Sequence, residues 1–224
     1  MNFVFFHIGE VTQPQLLTLS IKKFNPGSKI YFLTDHNTNE IDGVTETIRF
    51  DLDPDNLMTS RLEAFSKLEL NEPAIYLDTD VLVVRPIPTS LFNNKEVVLC
   101  KRSFMNDLFI KTTFMGLNLK EYDGSTFGEI YPFVACFTFS KNYEFWKECY
   151  KTLLDLDKKF HFWYGDQEAL RIVYKKNIFS TGLLDERIIC TLPEYIKSHI
   201  IYYSIHFKGK NRKEMMLSYA DKII

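Results

Sequence analysis

The stretch Ala74-Ile75-Tyr76-Leu77-Asp78-Thr79-Asp80-Val81-Leu82-Val83-Val84 sets an acidic triplet between two apolar, β-rich runs. Such runs read as buried strands. A carboxylate near a core is costly unless something pairs with it, so two of them between buried strands call for a cation. The tripeptide alone proves little, because Asp-x-Asp occurs four times, at Asp51/Asp53, Asp53/Asp55, Asp78/Asp80 and Asp155/Asp157. Setting decides between them. Asp51-Leu52-Asp53-Pro54-Asp55 contains a proline and reads as a loop, and Asp155-Leu156-Asp157 falls at the end of an expected helix, where water solvates both acids. Only Asp78/Asp80 sits at a strand end, which marks it as a metal or phosphate site.

Upstream, strand and helix alternate. A strand over 2–7 precedes a helix over 13–23, largely apolar through Leu16, Leu17, Leu19 and Ile21 and stopped by Asn25-Pro26-Gly27. Strands follow over 29–34 and 46–50, separated by turn residues around Asp42-Gly43, and then a helix from about 59 with Leu62, Phe65 and Leu68 on one face. Strands joined by helical crossovers predict an α/β fold, a Rossmann-like, mainly parallel sheet flanked by helices. Ligands of such sheets bind at the carboxyl ends of the strands, where His7, Asp35 and Asp78 fall. Downstream, 97–100 and 133–139 read as strands. Residues 143–156 form a helix with Trp146, Cys149 and Leu153 on one stripe, and 167–174 a shorter one after Gly165. Residues 103–128 show few elements and read as a mobile substrate loop. There is no repeat or linker, so the expectation is one domain over 1–224, with a nucleotide-binding half to about 90 and an acceptor and closure half from about 91.

Composition narrows the function. The chain has 224 residues, 46% hydrophobic and 25% charged, enough for a sizeable core. With 27 basic against 29 acidic residues the net charge is −2, which argues against a nucleic-acid track and makes any polyanion site local. Cys100, Cys136, Cys149 and Cys190 form no C-x-x-C pair and lie mostly in apolar runs, which suits reduced core thiols, a reducing cytoplasmic compartment and no zinc site. The N-terminus reads as a first strand without a leader, and no run reaches the length of a membrane span. Peripheral membrane contact stays open. The 20 Phe and 12 Tyr serve equally as core or as sugar-stacking platforms.

The order Thr34-Asp35, Arg61, Asp78-Thr79-Asp80, Asp166-Gln167 and His206-Phe207-Lys208-Gly209 resembles the GT-A glycosyltransferases, most closely the retaining family 8 group of galactosyl-, glucosyl- and glycogenin-like enzymes. Each motif is weak singly; their order and spacing seldom coincide. The resemblance implies a GT-A fold, a divalent cation, usually manganese with magnesium second, and a nucleotide-diphosphate sugar, usually uridine-based. Its hexose passes with retention to a glycan, lipid-linked or protein acceptor. The resemblance makes Asp80 the main metal chelator, Asp78 a metal ligand or ribose contact, and His206 the third protein ligand. His7, Ile8, Gly9, Thr34 and Asp35 then hold the nucleoside, while Arg61 and Lys67 contact donor sugar or diphosphate. Asp166 binds sugar hydroxyls, Gln167 lies near the reacting carbon, and Gly209 and Arg212 meet the diphosphate. The chemistry is coherent by itself: cleaving a glycosyl phosphate bond leaves charge on a diphosphate that a metal stabilises, and carboxylates plus one imidazole suit manganese.

Plainer roles compete. His206 could be a strand-end histidine bonded to backbone, Lys67 could face solvent, and Asp166 could stabilise the N-terminus of the helix it precedes. The cations of 208–213 could be a solvated tail, or a segment that repels itself when empty and closes over the diphosphate. The chain also departs from the family. Arg212 stands where a Lys is usual, and Val134-Ala135-Cys136 stands where many relatives carry Asn-Ala-Gly on the acceptor side. A sugar-nucleotide nucleotidyltransferase needs a Gly-rich basic loop after its first strand, and His7-Ile8-Gly9-Glu10 is neither. A non-catalytic nucleotide-sugar binding relative would have lost its metal ligands, and Asp78 and Asp80 both remain.

Overall fold

The computed structural model describes all residues of the chain except Asn93, Thr112, Met115, Gly116 and Ser198, and except the side chains of Phe114 and Leu117. In chain order the elements are β1 (Asn2–Phe6), α1 (Thr12–Phe24), β2 (Lys29–Thr34), β3 (Glu46–Arg49), α2 (Leu57–Lys67), β4 (Ala74–Leu77), β5 (Val81–Val83), β6 (Val97–Lys101), β7 (Thr113–Phe114), β8 (Leu117–Asn118), α3 (Phe127–Ile130), β9 (Phe133–Ser140), α4 (Glu144–Leu154), α5 (Lys159–Phe162), α6 (Gly165–Lys176), β10 (Thr181–Asp185), α7 (Glu186–Ile189), β11 (Ser204–His206) and α8 (Arg212–Ile223).

Seven strands form one sheet in the order β10-β6-β9-β4-β1-β2-β3. β1 runs parallel to β2 and β4, β2 to β3, and β6 to β10, while β9 is antiparallel between β4 and β6. The expected mainly parallel sheet is therefore present, and strands from both halves of the chain share it. Side chains alternate across the pleat. Phe3, Phe5, Ile75 and Leu77 face a core closed by Leu17 and Ile21 of α1 and Met216 and Ala220 of α8. Val4, Phe6 and Tyr76 face the other, closed by Leu62 and Phe65 of α2, Trp146 of α4 and Leu170 of α6. Phe65, Tyr76 and Trp146 meet there with ring centroids 4.6–5.0 Å apart. All four cysteines are buried and free. Among the described residues, no helix is long and apolar enough to cross a membrane.

Helix α1 ends where the sequence stops it: the Asn25 N–H closes the last turn on Ile21, and Gly27 turns the chain at φ +81°. Between β4 and β5 the chain leaves the large sheet at the acidic triplet and pairs instead with β11, His206 lying opposite Val81. β9 is irregular against β6, pairing Thr138 with Leu99 but Val134 with Cys100. Residues 135–137 thus lose their partners on that side, and Cys136 O accepts the Asp78 N–H at 3.1 Å.

The apolar run after the acidic triplet forms β5 as expected. Periodicity missed β10 and β11: β11 has three residues, too few to show a period, and β10 is a half-exposed edge strand, Thr181-Gly182-Leu183-Leu184-Asp185. Helix α6 starts at Gly165, two residues before the expected boundary, because Tyr164 in the left-handed region (φ +61°) turns the chain into it. Within 103–128 the described part carries β7, β8 and α3, the last opened by a reciprocal Thr126/Glu129 capping box. Thr112, Met115 and Gly116 of the expected substrate loop lie outside the described residues.

Gly165 is fixed by close packing. A Cβ there would stand 2.1 Å from Phe160 O and 2.5 Å from Leu153 Cδ1. Since the carbonyl is backbone, relief requires a main-chain shift. Gly165→Ala is expected to cost about 2 kcal/mol or more, read as a lower urea midpoint at unchanged m value; a midpoint equal to the parent's would disprove the packing argument.

Candidate active site

A cavity of about 660 Å³ opens at the carboxyl side of β4, within the size range of small-molecule sites. Its polar wall comes from Arg61, Asp78, Asp80, Arg102, Asp166, Gln167, His206, Lys208, Gly209 and Arg212, and its apolar wall includes Met58, Met105, Leu108, Phe109, Trp163 and Tyr164.

The Arg61 guanidinium, on α2, is the centre of the polar wall. One nitrogen meets Asp78 Oδ1 at 2.5 Å and Ala135 O at 3.1 Å, the other Asp166 Oδ2 at 3.0 Å. The carbonyl is available because β9 bulges there. Asp80 faces His206 Nε2 at 3.3 Å and Arg212 at 3.2 Å. The two acids differ in consequence. Burial pushes Asp78 up to about 6 against the pull of Arg61, with the Asp80 charge adding to it. Burial also presses on Asp80, but His206 and Arg212 outweigh it and hold Asp80 below the usual carboxylate range.

Asp78, Asp80 and His206 each offer one ligand atom, all within 4.8 Å of one another. His206 is brought there by β11 and held by backbone bonds, its N–H to Thr191 O and the next one, Phe207 N, to Asp80 O, both at 2.8 Å. Its ring does not bond backbone, as the plainer role had it, and its buried Nδ1 has no hydrogen-bond partner. Two carboxylates and an imidazole converging on one point fit a divalent ion of the manganese or magnesium type.

Asp166 lies inside the first turn of α6, not before it. The helix has no side-chain N-cap; Asp166 is buried, accepts the Gln167 N–H at 2.7 Å and turns its other oxygen to Arg61. The tail also departs from expectation. Lys208 pairs with Glu186 at 2.9 Å, Arg212 with Asp80, and Lys213 with Glu10 at 2.5 Å, so the cations that were expected to repel one another are mostly matched. Gly209 sits between them at φ +89° with nothing near its would-be Cβ.

The expected nucleoside residues gather beside the cavity at the ends of β1 and β2. His7 Nδ1 lies 3.1 Å from Thr79 Oγ1, within the acidic triplet, and its Nε2 is 2.6 Å from Glu10 O. Burial keeps His7 below its usual range and neutral. Thr34 Oγ1 donates to His7 O at 2.7 Å, Gly9 N–H to Thr38 Oγ1 at 2.8 Å, and Asp35 accepts from the Thr38 N–H at 2.8 Å. Ile8, between His7 and Gly9, is half-buried. Lys67 is exposed and pairs with Glu63 one turn back at 2.5 Å, and it is not among the residues that line the cavity.

Two site residues went unseen in the sequence. Arg102, 7% exposed, donates to Tyr131 O and to Gln167 Oε1, each at 2.7 Å. Glu186, fully buried, accepts the Ser103 and Phe104 N–H groups and Lys208. Neither sits in a motif. Their only sequence signal is charge beside the apolar runs Val97-Val98-Leu99-Cys100 and Leu183-Leu184, which is weak because exposed loop ends look the same.

No family profile and no curated protein sequence matches the chain. Solved structures do. The galactosyltransferase LgtC in complex with donor and acceptor sugar analogs superposes with a TM-score of 0.64 at 14% identity, over 100% of this chain and 96% of that one. An active-site mutant of LgtC gives 0.63 at 15% over the same shares. The glycosyltransferase GlyE of Streptococcus pneumoniae gives 0.62 at 15%, over 98% of this chain but 59% of GlyE. The likeness shows the fold: the chain has the GT-A architecture.

Arg61→Ala would leave the buried Asp166 and the half-buried Asp78 without their shared cation, so it is expected to destabilise the fold by about 2–3 kcal/mol, measured by urea unfolding at neutral pH. Asp185, which starts α7 and accepts from Ser103 Oγ at 2.7 Å, gives a pH-dependent test. Arg187 holds its carboxyl at about 2. A depressed folded value stabilises above the unfolded pKa of about 3.9 and loses that effect as pH falls toward the folded one. The stability deficit of Asp185→Asn should therefore be constant above about pH 5 and shrink between about pH 4 and 2; a deficit independent of pH would refute the pairing.

Proposed function

We propose that this protein is a metal-dependent glycosyltransferase that moves a hexose from a uridine-diphosphate sugar to an acceptor, with retention, in the manner of the family 8 enzymes. The observation that carries this is the convergence of Asp78, Asp80 and His206 at the end of β4, in one cavity with Lys208, Gly209 and Arg212. The same fold in structures named as glycosyltransferases supports it.

Asp78, Asp80 and His206 would hold a divalent ion, which when bound would supply Lewis-acid stabilisation for the oxygen that leaves the sugar. The chain does the rest. Lys208 and Arg212 flank Gly209 and bring two cations to the diphosphate, with the glycine allowing backbone to approach. Thr34, Asp35, His7, Ile8 and Gly9 receive the nucleoside beside them. Arg61 and Asp166, locked to each other, present a cation and a carboxylate to the sugar and its phosphate; Asp166 keeps lone pairs for sugar hydroxyls while its charge is balanced. Gln167 lies next to it at the reacting end. The apolar wall from 105–110 with Trp163 and Tyr164 excludes water that would otherwise hydrolyse the donor. The acceptor enters on the side lined by Val134 and Ala135, within the half of the chain from about 91, and residues 1 to about 90 form the nucleotide half. Four free thiols suit a reducing cytoplasm.

Uridine diphosphate should bind only with a divalent ion present, since Asp78, Asp80 and the diphosphate otherwise repel one another. Calorimetry in chelator and then in manganese is expected to show at least about tenfold tighter binding with the ion, roughly 1.4 kcal/mol, and Asp80→Asn should abolish the difference. Equal affinity in chelator and in manganese would remove the metal site and the reading built on it.

A further inference from the structure

Arg102 reaches the cavity wall from just beyond the carboxyl end of β6, held at its backbone, its Nε and one terminal nitrogen. Its N–H donates to Pro132 O at 2.8 Å, its Nε to Tyr131 O at 2.7 Å, and its guanidinium lies over the Phe127 ring at 5.6 Å. One terminal nitrogen, Nη2, donates to Gln167 Oε1 at 2.7 Å and touches Phe133 O at 3.5 Å. A guanidinium has donors and no acceptor, so the amide atom facing it must be the oxygen. That settles a choice which side-chain amides usually leave open. Because the amide is planar, fixing Oε1 on Arg102 turns Nε2 away from it, and Gln167 lines the cavity.

We propose that Arg102 is a positioning residue that locks the Gln167 amide with its NH2 toward the cavity, so that Gln167 meets the donor sugar by donating to one of its oxygens. The proposal rests on the nucleotide-sugar reading above. It assigns a direction to Gln167: an oxygen that already accepts a charge-assisted bond is neither free to accept from a sugar hydroxyl nor disposed to attack carbon. Freeing it would strip a buried charge of a partner. The lock also has a second end. The two residues after Arg102, Ser103 and Phe104, give their N–H groups to Glu186 at 2.9 and 3.0 Å, and Glu186 holds Lys208. Residues 102–104 thereby set the amide at the sugar end and the cation at the diphosphate end in one fixed relation.

The chain makes the test clean, because it has three glutamines, Gln13, Gln15 and Gln167. Labelling glutamine side chains with 15N gives three NH2 pairs in a heteronuclear NMR spectrum, and the one lost in Gln167→Glu is assigned. In the ligand-free protein, Arg102→Ala should move or broaden the Gln167 pair, millimolar guanidinium should restore it, and Arg102→Lys, which keeps charge and a donor if the alanine variant fails to fold, should move it less. With magnesium, UDP-glucose or UDP-galactose should shift the Gln167 pair in the parent while UDP alone leaves it in place. By calorimetry, Arg102→Ala should weaken the better-binding sugar nucleotide roughly tenfold and leave UDP unchanged, as loss of one charge-assisted bond predicts, and Arg102→Lys should weaken it less and also spare UDP. A Gln167 pair indifferent to Arg102 overturns the lock. Equal losses for UDP and sugar nucleotide show general damage and also overturn it. Failure of UDP itself to bind the parent with magnesium sinks the nucleotide-sugar reading instead, and the ligand-free spectra still decide the lock.

Discussion

One guanidinium holds the site together. Arg61 comes from α2, and its partners come from the end of β4, the first turn of α6 and the bulge of β9. Four elements that are distant in the chain therefore converge on a group that is always charged. Without it, Asp78 and Asp166 would be two acids in a half-buried wall with nothing to balance them, and the wall would open or protonate. Phe65, one helical turn on, carries the guanidinium at 5.4 Å on one side and packs on Tyr76 and Trp146 on the other. The core and the polar wall are thus joined through neighbouring residues of one helix.

Around that group, charge is arranged in two tiers. Asp78 is matched from the helix side by Arg61, and Asp80 from the tail side by His206 and Arg212. The separation gives the two acids opposite shifts although they lie two residues apart. The carboxylate held lower, Asp80, faces the tail and its cation Arg212. Lys208 behaves similarly: burial opposes its charge, and Glu186 more than offsets the penalty. The cations at this site are held by acids that the sequence places far away, so their positions are built in rather than left to a free terminus.

The antiparallel strand β9 is the device that lets this happen in a parallel sheet. Inserted between β4 and β6, it carries Val134 and Ala135 to the cavity; its irregular register against β6 frees the Ala135 carbonyl for Arg61, while Cys136 O receives the Asp78 N–H in continuation of the ladder with β4. Val134, Ala135 and Cys136 present apolar side chains on this strand, and the carbonyl contacts do not depend on them because they are backbone.

Much of this was legible in the chain. Alternating apolar runs with breakers such as Asn25-Pro26-Gly27 determine β1, α1, β2 and β4, and the acidic triplet at a strand end picked Asp78 and Asp80 from four equivalent tripeptides. The order of short motifs pointed to Arg61, Asp166 and His206, and the structure brings all three to one cavity. Lys67 pairs with Glu63 at the surface outside the cavity wall, and a lysine on a helix carries no mark in the sequence of which face it occupies. Arg102 and Glu186 stayed hidden because their roles are pairwise: each matters through a partner 65 or 22 residues away, Gln167 and Lys208. β11 is too short for a period and forms by pairing with β5. A sequence displays what repeats locally, such as hydrophobic period, caps and turns, whereas burial of a charge and the identity of its counter-charge are set when distant segments meet. That is why the strand bearing the acids could be read from the chain, and the network that orients them could be seen only in the folded protein.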